Sequence, residues 1–209
     1  MAVIRNGPNG GLRGKFGSVI GYRLNGQDII KGLPKKRTKK PTLREQANRA
    51  KFAQMQAWLK PLLGFLQIGF KGYAPTFQGF VAAKSYNSKH AFVKKEDDTL
   101  HIDPALALVS CGTIILPKTM SMERIGDEIV VTWDTGGNHQ PIDTAMLLAY
   151  IPETGANEYD LAAAKRFNGT AIIAMPDHSV GDEIHIYLAF VAYNHNSQSN
   201  SHYLGVIKA

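Results

Sequence analysis

The sequence has one cysteine, Cys111, so a disulfide within the chain is excluded. It has no apolar run long enough for a membrane-spanning helix, and its N-terminus has no apolar stretch of signal-peptide length. We therefore expect a soluble protein without a membrane span, cytoplasmic or exported by a non-classical route. A single thiol fits either a reducing compartment or export without oxidative folding.

Sequence signatures of common enzymes are also missing. The chain has no G-x-S-x-G nucleophile elbow, no dinucleotide fingerprint and no H-E-x-x-H pair. Its glycine-rich start fails as a phosphate-binding loop, because Asn9 occupies the first glycine position and Phe16 stands where a hydroxyl must bind magnesium. Cys111 is expected in an apolar strand, as a small buried residue. We expect no enzymatic activity and no cofactor; paired carboxylates for hydrolysis remain open.

The seven histidines lack the local spacing of metal ligands. We expect solvated loop histidines and no metal site. One alternative remains, in which the loops that carry His178, His195 and His202 meet at one end of a sandwich. Asp177 and Asp182 would then complete the coordination shell.

Positive charge is concentrated near the start of the chain. Residues 1–60 hold 14 Lys or Arg and two acidic residues, whereas residues 61–209 hold 10 and 15. The densest run lies between two prolines and reaches the next helix, and its cations are Lys35, Lys36, Arg37, Lys39, Lys40 and Arg44. Such a run suits a polyanion or an acidic protein partner, and a solvated or protein-facing surface is the plainer interpretation. Residues 35–51 have no aromatic side chain on which a base could stack.

Local signals organise the first hundred residues. Asn25-Gly26 between two β-prone runs predicts a hairpin with a type I′ turn. Thr42 and Glu45 form a capping box, which predicts a helix that starts at Leu43. Its apolar stripe recurs every three or four residues and consists of Phe52, Met55, Leu59, Leu62 and Leu66.

Pro61 falls inside this stripe and predicts a kink or a break in the helix. A second helix is expected from Thr76 to about Tyr86, where the polar sequence "NSKH" ends it. The two helices would pair across the short Gly/Pro break between them.

From Ala105 onward, short β-prone runs alternate with polar turns. About seven strands separated in this way predict an antiparallel β-sandwich, with Trp133 in its core. The β-prone runs are "ALALVS", "GTIIL", "EIVVTW", "TAMLLAYI", "GTAIIAM", "EIHIYLAFVAY" and "HYLGVI". In the sixth run, alternation places His185 and Tyr187 on the face opposite Ile184, Ile186, Leu188 and Phe190.

Two further segments have open assignments. The sequence "NEYDLAAAKRF" is expected to form one helical turn or an irregular crossover. The polar loop "NHNSQSN" resembles loops used for recognition, and an ordinary hairpin turn is the alternative. Its candidate binding residues are Asn194, His195, Asn196 and Asn200.

The chain resembles an uncharacterised bacterial family of unknown function over most of its length. The specific part of the resemblance is a "GKxGxVxGYxxxG" start from Gly14 to Gly26, followed by a helix entry made of Pro34, Pro41, Thr42, Gln46, Arg49 and Phe52. No activity is attached to that family, so the resemblance implies no catalytic residue. The C-terminal half is similar to fibronectin type III and immunoglobulin-like sandwiches. The start of the chain also resembles proteins of phage and phage-like particles.

These observations predict an α+β protein. Residues 1–104 would form a basic N-terminal hairpin and a helical pair, and residues 105–209 an immunoglobulin-like β-sandwich that the hairpin could join. The expected function is that of a non-enzymatic structural or binding protein, with a protein partner or self-assembly in a larger phage-like or surface assembly. The alternative is a nucleic-acid-binding protein that uses residues 31–51. An enzyme with an unrecognised site is the third hypothesis.

Overall fold

The computed structural model describes residues 3–4, 10–24, 26–36, 38–73, 78–94, 99–137 and 140–209. The chain divides into two compact units, Met1–Leu43 and Arg44–Ala209. The fold class is α+β, as predicted, with an N-terminal sheet, a helical segment and a β-rich C-terminal part. None of the helices in the described ranges is both long and apolar enough to cross a membrane.

The first unit is a four-stranded antiparallel sheet with the order β1-β2-β3-β4. Its strands are β1 (Val3–Ile4), β2 (Leu12–Phe16), β3 (Val19–Leu24) and β4 (Gln27–Gly32). The predicted hairpin is confirmed, because Leu24 pairs with Gln27 across a two-residue turn. Asn25 lies outside the described residues, and Gly26 has a φ of 83°, which suits the predicted turn.

The first predicted helix is confirmed in its start after Thr42 and in its break at Pro61. Helix α1 (Leu43–Leu59) begins directly after Thr42, and α2 (Leu63–Gly69) continues the chain beyond a 3-10 turn at Lys60–Leu62. Pro61 lies in that turn, where its missing N–H interrupts the helical hydrogen bonds. The apolar stripe is buried from Met55 onward, whereas Phe52 is 55% exposed.

Helix α3 (Gly79–His90) runs four residues past the predicted end. Residues 76 and 77, the expected start, lie outside the described residues. The polar "NSKH" does not end the helix because Asn87 has a partner in the tertiary structure. Its side-chain amide donates to the carbonyl of Leu108 at 2.8 Å and accepts from the N–H of Leu108 at 2.9 Å.

A short hairpin, β5 (Phe92–Lys94) and β6 (Leu100–Ile102), follows the helices. Seven further strands form two antiparallel sheets, of order β11-β8-β7 and β10-β9-β12-β13. Their bounds are β7 (Met120–Ile125), β8 (Glu128–Trp133), β9 (Thr144–Tyr150), β10 (Asn157–Lys165), β11 (Thr170–Ala174), β12 (Glu183–Val191) and β13 (His202–Lys208).

Five of the seven predicted β-prone runs are strands, and two are not. "ALALVS" and "GTIIL" have no ladder partner beyond one isolated bridge of Ile114. Their backbone makes tertiary contacts instead: Val109 N–H donates to Ser201 Oγ, and Gly112 N–H donates to the carboxamide oxygen of Asn200. Hydrophobicity indicated burial correctly for Ala107 and Val109, whereas Leu106 and Ile115 are 48% and 71% exposed. An irregular segment can have the same composition as a strand.

Strands β7 and β10 were not predicted as strands. Strand β10 is the segment that was expected to form a helical turn or a crossover. It pairs with β9 and forms one edge of the sheet β10-β9-β12-β13. Its register shifts between Asp160 and Ala164, which interrupts the period of two that identifies a strand.

The central strands β9 and β12 are buried on both faces. The alternation predicted for β12 is confirmed: the face of Ile184 packs in a core with the three-stranded sheet, and the face of Tyr187 packs in a second core with the helices. Trp133 lies in the first core, as predicted. The helices share a core with the sheet β10-β9-β12-β13, and the compact units divide at residues 43–44. The domain boundary expected near residue 104 stays a prediction.

Candidate binding groove

A groove of about 730 Å³ lies between α1 and the sheet β10-β9-β12-β13. The C-terminal end of α1, strand β6, the loop after β9 and the start of β12 form its walls. The lining residues are Gln54, Ala57, Trp58, Pro61, His101, Ile102, Pro104, Pro152, Glu153, Thr154, Gly155, Glu183 and His185. Its volume falls within the usual range of ligand-binding clefts.

The groove is acidic. Glu153 and Glu183 are exposed carboxylates, and the described residues that line the groove include no Lys or Arg. Glu183 lies 4.0 Å from the ammonium of Lys208, but both side chains are at least half exposed, so water weakens this ion pair. Two carboxylates without a cation in the lining favour a positively charged ligand.

His185 lies in this wall with only 8% of its surface exposed. Its Nδ1 forms a 2.8 Å hydrogen bond with the hydroxyl of Tyr203. Burial lowers the pKa of His185, and the nearby carboxylates of Glu153, Glu183 and Asp103 oppose this effect. The imidazole is therefore neutral near pH 7 and does not offset the negative charge of the groove.

Two buried nitrogen atoms of lining residues lack a hydrogen-bond partner in the described part of the chain. They are Nε1 of Trp58 and Nδ1 of His101. The Trp58 ring packs edge-on against Tyr150 at 5.2 Å, and the Tyr150 hydroxyl donates to the carbonyl of Trp58 at 2.7 Å. An unpaired buried polar group lowers stability, so the groove wall is not optimised for folding alone.

Sequence analysis did not identify this groove. Its residues come from separate segments between positions 54 and 185, and no local spacing connects them. One signal was available: the alternation of β12 placed His185 on the face opposite its aliphatic residues. That signal located one side chain, and only the packing of α1 on the sheet closes the groove around it.

The predicted recognition loop lies beside a second cavity, of about 420 Å³, which Asn196 and Cys111 help to line. The carboxamide oxygen of Asn194 accepts from the N–H of Asn196, and that of Asn200 accepts from the N–H of Gly112. The carbonyl of His195 accepts from the Lys71 ammonium at 2.8 Å. These contacts stabilise the turn, and the binding role of Asn194, His195, Asn196 and Asn200 stays a prediction.

Cys111 is half-buried and lies outside the strands, which corrects the expectation of a strand position. Burial raises the pKa of its thiol. A nucleophilic cysteine needs the opposite shift, because the thiolate is the attacking species.

The described residues of the basic run that precede α1 have no regular secondary structure. Its described cations are exposed: Lys35, Lys36, Lys39, Lys40 and, in the first turn of α1, Arg44. Arg37 lies outside the described residues. The run is thus an accessible basic segment, and the nature of its partner stays a prediction.

The histidines proposed as alternative metal ligands do not converge. His178 precedes β12 and His195 follows it, so a nine-residue strand of roughly 27 Å separates them. Nδ1 of His178 lies 2.7 Å from the carbonyl oxygen of Pro176. Across the described ranges, no three His, Cys, Asp or Glu side chains are grouped for a metal ion.

Comparison with known proteins identifies a family for which no activity is known. No curated protein and no solved structure matches the chain. A family model described as "Family of unknown function (DUF6266)" matches residues 11–205, which include β2 to β4, all the helices and nearly all of the sandwich. The chain therefore belongs to the family of unknown function DUF6266.

Proposed function

We propose that this protein is a non-enzymatic component of a larger assembly, phage-like or on a cell surface, and that it binds its neighbours through the N-terminal sheet. The observation that carries the proposal is the absence of a core among the described residues of the first unit. Gly21 is the one buried residue there, whereas Phe16, Leu24 and Ile30 are 66%, 50% and 62% exposed. Because a small sheet needs a buried apolar face for stability, these side chains favour a protein partner.

The two faces of this sheet differ in chemistry. The strand register places Leu12, Phe16 and Ile30 on one face, around the adjacent pair Gly14 and Gly21. Leu12 covers the position where a β-carbon of Gly21 would lie, so the surface that this face offers to a partner consists of the exposed Phe16 and Ile30 side chains. The opposite face carries the cations Arg13, Lys15 and Lys31, and the apolar side chains of Ile20, Leu24 and Ile29 lie among them.

The sandwich supports a binding role by its topology. Its first, second and fifth strands form one sheet, and its third, fourth, sixth and seventh form the other. Seven antiparallel strands in two packed sheets are typical of immunoglobulin-like and fibronectin type III domains. We assign the sandwich to that class, which recurs in proteins of surfaces and assemblies and does not by itself define a ligand.

The proposal predicts that loss of the apolar face weakens assembly. We expect light scattering of the full chain to show association that rises with concentration, and Phe16→Ser with Ile30→Ser to abolish it. Ile115→Ser with Val180→Ser is the matched control, because those side chains are 71% and 99% exposed in the second unit. Hydrogen exchange of β2–β4 should be fast in dilute protein and slow in the associated form. A monomer in which these amides exchange as slowly as those of β12 contradicts the proposal.

Nucleic-acid binding is the second candidate, and one observation favours it. The basic face of the sheet also carries Tyr22, and the Lys31 ammonium lies 5.2 Å from the centre of its ring. Proteins that bind single-stranded nucleic acids combine cations, which contact the phosphates, with aromatic rings on which the bases stack. This face leads directly through β4 into the basic run.

If the second candidate is correct, binding is electrostatic. Changing Lys35, Lys36, Arg37, Lys39 and Lys40 to Gln should abolish most of it, and five phosphate contacts imply a log–log salt slope of roughly −4 to −5 on duplex DNA. Fluorescence anisotropy at several salt concentrations measures both effects. Tyr22→Ala should weaken binding to single strands alone. No binding at low salt would exclude this candidate.

A further inference from the structure

We propose that the acidic groove is the docking site for the basic arm (residues 34–41) of a second copy of the chain. This inference rests on the proposed function, because it names the neighbour that the assembly uses. The arm of one copy would bind between α1 and the sheet β10-β9-β12-β13 of the next copy.

Complementary charge is the first argument. The described lysines of the arm, Lys35, Lys36, Lys39 and Lys40, are exposed within seven residues. The groove offers the exposed carboxylates of Glu153 and Glu183, and no Lys or Arg occurs among the lining residues that the structure describes. His185 is buried and the pKa of its imidazole is lowered, so this histidine adds little positive charge to the groove near pH 7.

Shape is the second argument. Residues 33–42 have no helix or strand among those described, and prolines stand at both ends of the arm. Proline and the residue before it favour extended backbone, so little conformational entropy is lost when such a segment binds in a groove. The groove is open, about 730 Å³ in volume, and its walls include Pro61, Pro104 and Trp58. Ring side chains of this kind suit the aliphatic stems of lysines.

A second copy fits the observations better than a nucleic acid does. The carboxylates of the groove repel phosphates, whereas they attract the arm. The arm also continues the sheet that exposes Phe16 and Ile30, and only a protein surface can bury those side chains. Reciprocal exchange of the arms closes a two-fold dimer, and exchange in one direction from copy to copy produces rings or filaments.

Charge reversal in both partners tests the inference. One full-length variant carries Glu153→Lys with Glu183→Lys, and another carries Lys35→Glu, Lys36→Glu, Lys39→Glu and Lys40→Glu. Each variant alone should associate on the order of tenfold more weakly than the wild type, and an equal mixture of the two should recover association. The matched control is Glu123→Lys with Glu128→Lys, two exposed carboxylates outside the groove, which should leave association unchanged.

Zero-length cross-linking identifies the atoms in contact. In a mixture of ¹⁴N- and ¹⁵N-labelled wild-type protein, carbodiimide should join Glu153 or Glu183 to a lysine of the arm, and about half of these cross-links should contain both isotopes if all come from different copies. Cross-links of a single isotope only would assign the arm to the groove of its own chain and overturn the inference. Absence of these cross-links, or association that nuclease abolishes, would also overturn it.

The result separates this inference from the proposed function. If both charge-reversed variants associate like the wild type while Phe16→Ser with Ile30→Ser does not, the groove is not the docking site and the assembly role stands. If the apolar variant also behaves like the wild type, the proposed function fails as well.

Discussion

Asn87→Ala should lower the free energy of unfolding by about 2–4 kcal/mol, because it leaves two backbone groups without partners. The fully buried Asn87 side chain bonds both the N–H and the carbonyl of Leu108. These bonds attach α3 to the irregular segment that precedes the sandwich. For a chain of 209 residues, the midpoint of thermal unfolding should fall by roughly 5–15 °C.

Asn48→Ala is the matched control for this variant. Asn48 is exposed on α1, where alanine has the higher helix propensity, so the midpoint should stay constant or rise slightly. Calorimetry of the two variants beside the wild type measures the difference. An unchanged midpoint for Asn87→Ala would mean that water replaces the side chain, and that Asn87 does not determine the length of α3.

Gly79→Ala should be destabilising by about 1–3 kcal/mol, although alanine is the better helix former. A β-carbon at Gly79 would collide with the carbonyl oxygen of Leu66 and contact the α-carbon of Gln67. Both are backbone atoms of α2, so no side chain can move aside. The substitution therefore has to separate α2 from α3.

Gly64→Ala provides the comparison for the second prediction. A β-carbon at Gly64 would meet the hydroxyl end of Tyr159, and a side chain of this kind can rotate away. Gly64 lies inside α2, so the alanine also gains helix propensity there. We expect denaturant unfolding to show a clear loss of stability for Gly79→Ala and little change for Gly64→Ala. Equal effects would contradict a close backbone approach at Gly79.

Local signals were reliable where the physical cause of the structure is local. The turn at Gly26, the start of α1 after Thr42 and the break at Pro61 each follow from backbone conformation or from a missing N–H within a few residues. The alternation along β12 was equally reliable, because a strand directs neighbouring side chains to opposite faces whatever packs on them. The α+β class follows from the order of these elements.

Predictions failed where distant residues decide the structure. Helix α3 continues through a polar sequence because Asn87 meets Leu108. "ALALVS" is not a strand because its backbone bonds to Asn87 and Ser201, and the Ser110 hydroxyl donates to the carbonyls of Gly69 and Ser199. Strand β10 was missed because a register shift interrupts its alternation. Such contacts depend on residues up to 92 positions apart, and no window of sequence contains both partners.

The basic arm can be identified from the sequence alone, whereas the acidic groove cannot. Composition and proline positions alone identify the arm as an exposed, extended, positively charged segment, since charge and backbone restriction belong to single residues. The groove exists only after folding, because α1, β6, the loop after β9 and β12 have to meet before Glu153, Glu183 and His185 share one surface. Tertiary packing also lowers the pKa of His185, since desolvation depends on the residues that surround a group and not on its neighbours in the chain.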